Sequence, residues 1–309
     1  MDKNSKIYIA GHNGLAGSAI HRLLHKSGYK NLITRDHSIL DLIDQKSTFK
    51  FFDEIKPEYV FVAAAKVGGI MGNKTYPASF IYENIQMECN IIEGSRRSGV
   101  KKLIFLGSSC IYPKLAEQPM QESSLLTGEL EPTNKPYAVA KIAGIVMCQS
   151  YNQQFGTNFI SVMPTNLYGP GDNYDAQNSH VVAALLSKFH KAKVEKTSEI
   201  ILWGTGQAKR EFLHSNDLAD ACLFLMDKYD SSEIINIGTG EEITIKDLNT
   251  TVSKIVGYVG EIKWDKDKPD GAPRKLLDIS KINTLGWKHK ISLDNGLADA
   301  YEWYKNNVK

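Results

Sequence analysis

The stretch FLGSSCIYP, residues 105–113, carries an apolar strand into two hydroxyls and a thiol. Ser108, at such a strand end, can orient a substrate oxygen. Further on, YAVAK sets Tyr137 and Lys141 four apart, on one face of a predicted helix. A phenol ordinarily titrates at about pKa 10. A nearby ammonium favours phenolate and lowers that value. The pair therefore predicts a tyrosine that gives or takes a carbonyl/alcohol proton at neutral pH. Taken alone, an i,i+4 pair is an ordinary helix-surface contact; Ser108 at a strand end of the same sheet gives it chemical meaning. By residue type alone, Cys110 is a small core hydrophobe and His180 a polar residue at a helix start.

A second constellation lies at the N-terminus. The strand KIYIAG leads into GHNGLAG, with Gly11, Gly14 and Gly17. Glycines there allow a tight turn and close approach of the backbone to a pyrophosphate, and the next helix offers its N–H groups and positive dipole end. The spacing is GxxGxxG rather than GxGxxG, so its place between first strand and first helix carries the reading. The second strand ends in Arg35, Asp36 and His37. A carboxylate there suits a free ribose 2′-hydroxyl and a cation suits a 2′-phosphate, so both cofactors stay open. Asp41 and Leu42 read equally as neighbours of an adenine and as a surface cap.

The elements that position these groups alternate. Strands are expected at 6–11, 31–35, 59–65, 101–109 and within 159–171, the last running into a Pro/Gly loop. Helices are expected at 18–28, 47–57, 79–99 and 136–156, the last ended by Gly156. Continuous apolar strands in a β-α-β-α rhythm predict a Rossmann-type doubly wound parallel sheet covered on both faces. After Gly171 the rhythm breaks. A helix at 178–193, a strand at 199–203, exposed loops at 204–211 and 265–275, a strand at 233–238, and helices at 244–257 and 292–307 follow. The expected division is a dinucleotide-binding domain over 1–170, with returning segments near 212–238, and a smaller C-terminal substrate lobe formed mainly by 171–309.

Composition narrows the classes. The chain has 309 residues, 42% hydrophobic and 23% charged, with a net charge of +2. That is ordinary for a soluble globular protein, and the charge is too small to argue for nucleic acid or a membrane surface. Cys89, Cys110, Cys148 and Cys222 form no CxxC pair and no Cys/His cluster with zinc spacing; neither disulfides nor a metal are expected. No apolar run of about 18 residues occurs, so no membrane span is expected. The first residues enter a strand at once, without an apolar leader, and a reduced cytoplasmic compartment is expected.

Together, glycine turn, strand-end serine and Tyr-x-x-x-Lys resemble the extended short-chain dehydrogenase/reductase family. Longer stretches narrow the likeness: AAAKVGGI (63–70), GSSCIYPK (107–114), EPTNKPYAVAKIAG (131–144), SVMPTNLYGP (161–170), SHVVAALL (179–186), REFLH (210–214) and KPDGAPRKLLD (268–278). They look like the GDP-L-fucose synthase family, which are 3,5-epimerase/4-reductases of GDP-4-keto-6-deoxy-D-mannose. The likeness covers nearly the whole chain. It implies NADP(H)-dependent epimerisation and 4-keto reduction of a GDP-4-keto-6-deoxy-hexose, giving GDP-L-fucose or a close relative.

In that chemistry Ser108, Tyr137 and Lys141 serve hydride transfer, with Lys141 also on the nicotinamide ribose. Inverting C3 and C5 requires removal of protons α to the ketone and their return to the other face. The resemblance implies that Cys110 and His180 are that acid/base pair. A thiol with pKa near about 8.5 and an imidazole near about 6.5 suit the task at neutral pH. Nucleotide-sugar dehydratases of the wider family carry an Asp-Glu pair near the strand-end Ser/Thr; this chain has Ser109 and Cys110 there. A 4-epimerase would need no proton pair at all.

The resemblance places the dinucleotide against Gly11, Asn13, Gly14, Leu15, Gly17, Arg35, Asp41, Leu42, Ala64, Leu106, Gly107, Lys141, Pro164, Asn166, Leu167 and His180. It places the GDP-sugar against Lys188, Trp203, Arg210, Asp270 and Lys275. Family members can carry arginine where this chain has Asn13 and His37, and Lys188 replaces a familiar arginine, keeping charge but losing the fork. NADP(H) is the expected cofactor, with NAD(H) the alternative. The resemblance also implies a homodimer through helices such as 79–99 and 136–156. The competing readings are a 4-keto reductase of a GDP-4-keto-heptose with little or no epimerase activity, and a noncatalytic dinucleotide sensor. The intact Ser108, Tyr137 and Lys141 argue against the sensor.

Overall fold

The computed structural model describes residues 1–175, 179–268 and 271–308. The first part runs β1 (Lys6–Ala10), α1 (Leu15–Lys26), β2 (Asn31–Ile33), α2 (Gln45–Ile55), β3 (Tyr59–Val62), α3 (Ile70–Thr75), α4 (Pro77–Ser98), β4 (Lys102–Leu106), α5 (Lys135–Phe155) and β5 (Phe159–Pro164). Then come β6 (Asn166–Tyr168), α6 (Val181–Val194), β7 (Glu199–Trp203), β8 (Lys209–Arg210), β9 (Phe212–His214), α7 (Ser215–Lys228), β10 (Ile235–Ile237), β11 (Ile243–Thr244), α8 (Ile245–Val256), β12 (Glu261–Asp265), β13 (Arg274–Lys275), α9 (Ser280–Thr284) and α10 (Leu293–Asn307).

One all-parallel sheet, in the order β10-β5-β4-β3-β1-β2, organises the molecule. All five residues of β4, KLIFL, are buried, because helices cover both faces. Tyr8, Val60, Leu103 and Phe105 point into one core with Phe52 and Ile92. Their neighbours Ile7, Phe61 and Ile104 point into the other, with Ile20 and Leu218. The α/β class expected from the sequence is the class found, and β10 is the returning strand.

Strand order reverses between β1 and β3, which is where ligands of such sheets bind. Register sets Ala10 opposite Val62 and Leu106 opposite Val162. The C-terminal strand ends, and the residues that follow them, therefore form one rim.

Two long helices carry much of the site. Proline occupies the first turn of both α4 and α5, and both end on a left-handed glycine, Gly99 (φ 74°) and Gly156 (φ 67°). They pack closely. A Cβ on Gly144 would lie 2.4 Å from the Phe105 ring and 2.9 Å from Glu88 Oε2.

The remaining elements build three small sheets: β11-β8-β13, the parallel pair β12-β7, and β6-β9. They share a third core with α6, α8 and α10, including Tyr168, Phe189, Leu248 and Leu297. The loops expected at 204–211 and 265–275 contribute β8 and β13. No helix among the described residues is long and apolar enough to cross a membrane.

Candidate active site

Four of the expected catalytic residues come from two adjacent elements. After β4 the chain leaves Ser108 extended (φ −163°, ψ 150°) and enters a short 3₁₀ turn over Ser109–Ile111. Ser108 Oγ caps that turn, accepting from Cys110 N–H at 3.2 Å. Tyr137 and Lys141 rise one turn apart from the start of α5. Ser108, Cys110 and Tyr137 are all half-buried, whereas Lys141 is fully buried.

The Tyr137 phenol is pushed far above its ordinary range, chiefly by burial and further by its electrostatic interactions with Cys110 and Glu88; the Ser108 side chain facing it pulls the other way. This corrects the expectation that Lys141 lowers the phenol's pKa. Lys141 Nζ lies 5.8 Å from the Tyr137 ring and 4.7 Å from that of Phe105. Its charge is answered instead by Glu88, whose Oε1 is 3.0 Å away. Burial thus favours the neutral phenol.

Two residues of this centre were missed from the sequence. Glu88 is buried on α4, and burial raises its carboxyl's pKa against the pull of Lys141. Its signal was available: one carboxylate in IQMECNII, a helix stretch otherwise set against the core. Asn134, immediately before α5, donates from Nδ2 to Cys110 Sγ at 3.1 Å. An Asn before a Pro-led helix reads as a cap, so no sequence signal pointed to the sulfur.

His180 enters from another element, as the N-cap of α6. Its Nδ1 is 4.0 Å from Asp172 Oδ1; the imidazole is half exposed and Asp172 is buried. Among the described residues no hydrogen bond joins His180 to Cys110.

The expected nucleotide rim is built on glycines. Gly11 has φ 81°, and a Cβ there would sit 2.6 Å from Ala64 Cα. A Cβ on Gly17 would sit 2.1 Å from the Gly11 carbonyl oxygen. Gly14 is the N-cap of α1, and no side chain caps that helix from Leu15 onward. Bare backbone N–H groups at a helix start fit a pyrophosphate.

At the ribose edge, Asn13 Nδ2 donates to Asp36 Oδ1 at 2.7 Å, and His12 Nε2 is 3.5 Å from the same oxygen. Arg35 lies over the Phe51 ring and donates to the Thr34 carbonyl. Asp41 accepts from Ile43 N–H, and Leu42 is buried in the core. Leu106 ends β4 and Gly107 follows, where a Cβ would strike Met163. Pro164 ends β5 opposite Ile237. Asn166 donates to the Glu211 carbonyl at 2.8 Å, and Leu167 pairs with Leu213.

The expected sugar-nucleotide residues fall into two groups. Lys188 donates to the Ile201 carbonyl, two residues before Trp203, which is 63% exposed. Burial lowers the Lys188 pKa. Arg210 and Lys275 are register partners of β8 and β13. Asp270 lies outside the described residues.

A nucleotide-binding parallel sheet with Ser, Tyr and Lys at its rim defines a dinucleotide-dependent oxidoreductase. The chain belongs to the NAD dependent epimerase/dehydratase family, of the extended short-chain dehydrogenase/reductase type, which its residues 7–238 match. It is 56% identical to GDP-L-fucose synthase 1 of Arabidopsis thaliana over 307 residues, 99% of this chain and 95% of that one. It is 50% identical to GDP-L-fucose synthase of Escherichia coli K12, over 98% of this chain and 97% of that one. Among solved structures, a GDP-mannoheptose C4 reductase from Campylobacter jejuni with NADP bound superposes with a TM-score of 0.91 at 43% identity, covering 99% of both chains.

Proposed function

We propose that the protein inverts C3 and C5 of a GDP-4-keto-6-deoxy-hexose and reduces its C4 ketone with NADPH, giving GDP-L-fucose or a close relative. The observation that carries this reading is Cys110 bonded through its N–H to the same Ser108 that faces the Tyr137 phenol. A reductase needs Ser108 and Tyr137. Only the epimerisation needs a thiol beside them.

NADPH held along the Gly11–Gly17 turn would supply the hydride for C4. Tyr137, held protonated by burial, donates its proton to the C4 oxygen. Ser108 orients that oxygen, and Lys141 faces the ribose hydroxyls with Glu88 balancing its charge. For epimerisation Cys110 takes the proton from C3 or C5. The C–H bond breaks, an S–H bond forms, and the electron pair moves onto the C4 oxygen as an enolate, where Tyr137 and Ser108 hydrogen-bond it. His180, oriented beside Asp172, returns a proton to the opposite face. Lys188, Trp203, Arg210, Asp270 and Lys275 hold the GDP-sugar, with Arg210 as a fork for pyrophosphate oxygens.

NADPH is favoured over NADH in this reading because Asp36 is already engaged by Asn13 and His12, leaving Arg35 for a 2′-phosphate. The proposal includes a homodimer through α4 and α5, where Tyr82 and Val146 are exposed. It also includes a reducing cytoplasmic setting, which suits four free cysteines.

The structural likeness to the heptose C4 reductase supports a second reading, 4-keto reduction of a GDP-heptose without epimerisation. One experiment separates them: incubate the enzyme and NADPH with GDP-4-keto-hexose or GDP-4-keto-heptose in D2O, and read the products by NMR. Deuterium at C3 and C5 of the hexose product supports the first reading. Good reduction with no exchange establishes the second.

A further inference from the structure

We infer that Asn134 is a positioning residue for the Cys110 base: its amide holds the sulfur over the substrate and stabilises the thiolate. The inference rests on the reading of Cys110 as the α-proton base. Three observations carry it. First, Asn134 Nδ2 donates to Cys110 Sγ at 3.1 Å. The amide NH₂ has no acceptor capacity, so the sulfur is the acceptor in this contact, and an N–H donor bonds an anionic acceptor more strongly than a neutral one.

Second, Asn134 is the N-cap residue of α5, yet its side chain makes no capping bond. Asparagine is among the best capping residues. Here the side chain turns away to the sulfur, so helix stability does not account for its orientation. Third, Asn134 Oδ1 is buried and has no hydrogen-bond partner among the described residues. A structural amide would normally use both ends.

The geometry also couples the two half-reactions. Asn134 lies three residues before Tyr137 at the start of the same helix. One rigid element therefore sets the phenol that serves the C4 oxygen and the amide that fixes the sulfur. Ser108 ties the other side of Cys110, through the Cys110 N–H.

The test uses full-length enzyme with GDP-4-keto-6-deoxy-mannose and NADPH in D2O. In Asn134→Ala, deuterium exchange at C3 and C5 falls about 10- to 100-fold, the effect of losing one hydrogen bond to a charged group. NADPH oxidation falls much less, so the product mixture shifts towards the unepimerised 4-alcohol. Asn134→Asp keeps the shape but sets a carboxylate against the sulfur, and loses at least as much exchange as the alanine variant. Iodoacetamide labelling of Cys110, followed by peptide mass mapping, slows in both variants. Exchange and labelling at wild-type rates in Asn134→Asp overturn the inference. Equal losses of exchange and reduction in both variants overturn it too, because they indicate a general defect of α5. Cys110→Ser is run in parallel. If it abolishes exchange while the Asn134 variants do not, only the positioning role fails; if it exchanges like wild type, the reading of Cys110 as base fails with it.

Discussion

Lys141 Nζ sits 3.0 Å from Glu88 Oε1, and both side chains are 2% exposed. Among the described residues neither Glu88 oxygen has another partner. The carboxylate and ammonium therefore depend on each other. Removing one partner of such a pair costs about 3–5 kcal/mol, because the other charge stays buried. Glu88→Gln is expected to destabilise the protein within that range. Replacing both, as Glu88→Gln with Lys141→Met, recovers part of the loss. Urea unfolding of the two single variants and the double variant gives the cycle. Additive losses would show that the pair is not coupled.

Tyr137→Phe removes one oxygen and leaves the packing of α5 in place. Keto reduction is expected to fall about 10²–10⁴-fold, the usual worth of a positioned proton donor, with an unchanged melting temperature. The raised phenol pKa adds a second signature. In the ligand-free protein Tyr137 stays protonated past about pH 10, the ordinary phenol value. The ultraviolet titration of wild type minus Tyr137→Phe therefore shows no tyrosinate at that pH. Normal NADPH oxidation in the variant would remove Tyr137 from the mechanism.

Cofactor choice turns on how Asp36 is engaged. Its Oδ1 is held by Asn13 at 2.7 Å, which leaves one carboxylate oxygen for the ribose hydroxyls of NADH. Wild type is expected to prefer NADPH modestly in kcat/KM. Arg35→Ala lowers the NADPH/NADH ratio by about tenfold or more, through loss of a charge-assisted contact. Asn13→Ala releases Asp36 and shifts the ratio the same way by improving NADH. A wild-type preference for NADH would place Asp36 on the ribose from the outset.

What could be read from the sequence was local chemistry. Gly11 and Gly17 announce themselves because backbone lies where their Cβ atoms would be, and Tyr137 and Lys141 because four residues make a helical turn. Helix α7 was within reach: Leu218, Ala221, Cys222, Leu225 and Met226 follow helical spacing and are all buried. The two-residue strands β8, β11 and β13 were not, since two residues define no period. Nor was the state of Tyr137. It depends first on burial and only then on neighbours such as Glu88, brought to Lys141 from 53 residues away by the packing of α4 on α5, and no spacing rule encodes either.

Glu211 offers a test of stability rather than of catalysis. It is fully buried and accepts from the backbone N–H groups of Thr239 (2.7 Å), Gly240 (2.8 Å) and Leu277 (3.1 Å). It thus ties the strand region before β9 to the loop after β10 and to the segment after β13. Burial raises its carboxyl's pKa, against the pull of Gly240, Leu277, Thr165 and Thr239. The folded protein therefore binds this proton more readily than the unfolded chain does. The stability that this group contributes is fully present below its unfolded pKa and is lost as pH rises through the folded one. Glu211→Gln turns an amide donor towards backbone N–H groups and is expected to cost about 1–3 kcal/mol. It also removes the titration. The gap in melting temperature between wild type and Glu211→Gln should therefore narrow as the pH is raised from acid towards neutral. Thermal unfolding of both proteins across that range measures it. A gap that widens with pH would mean that the N–H groups, and not burial, dominate the carboxylate.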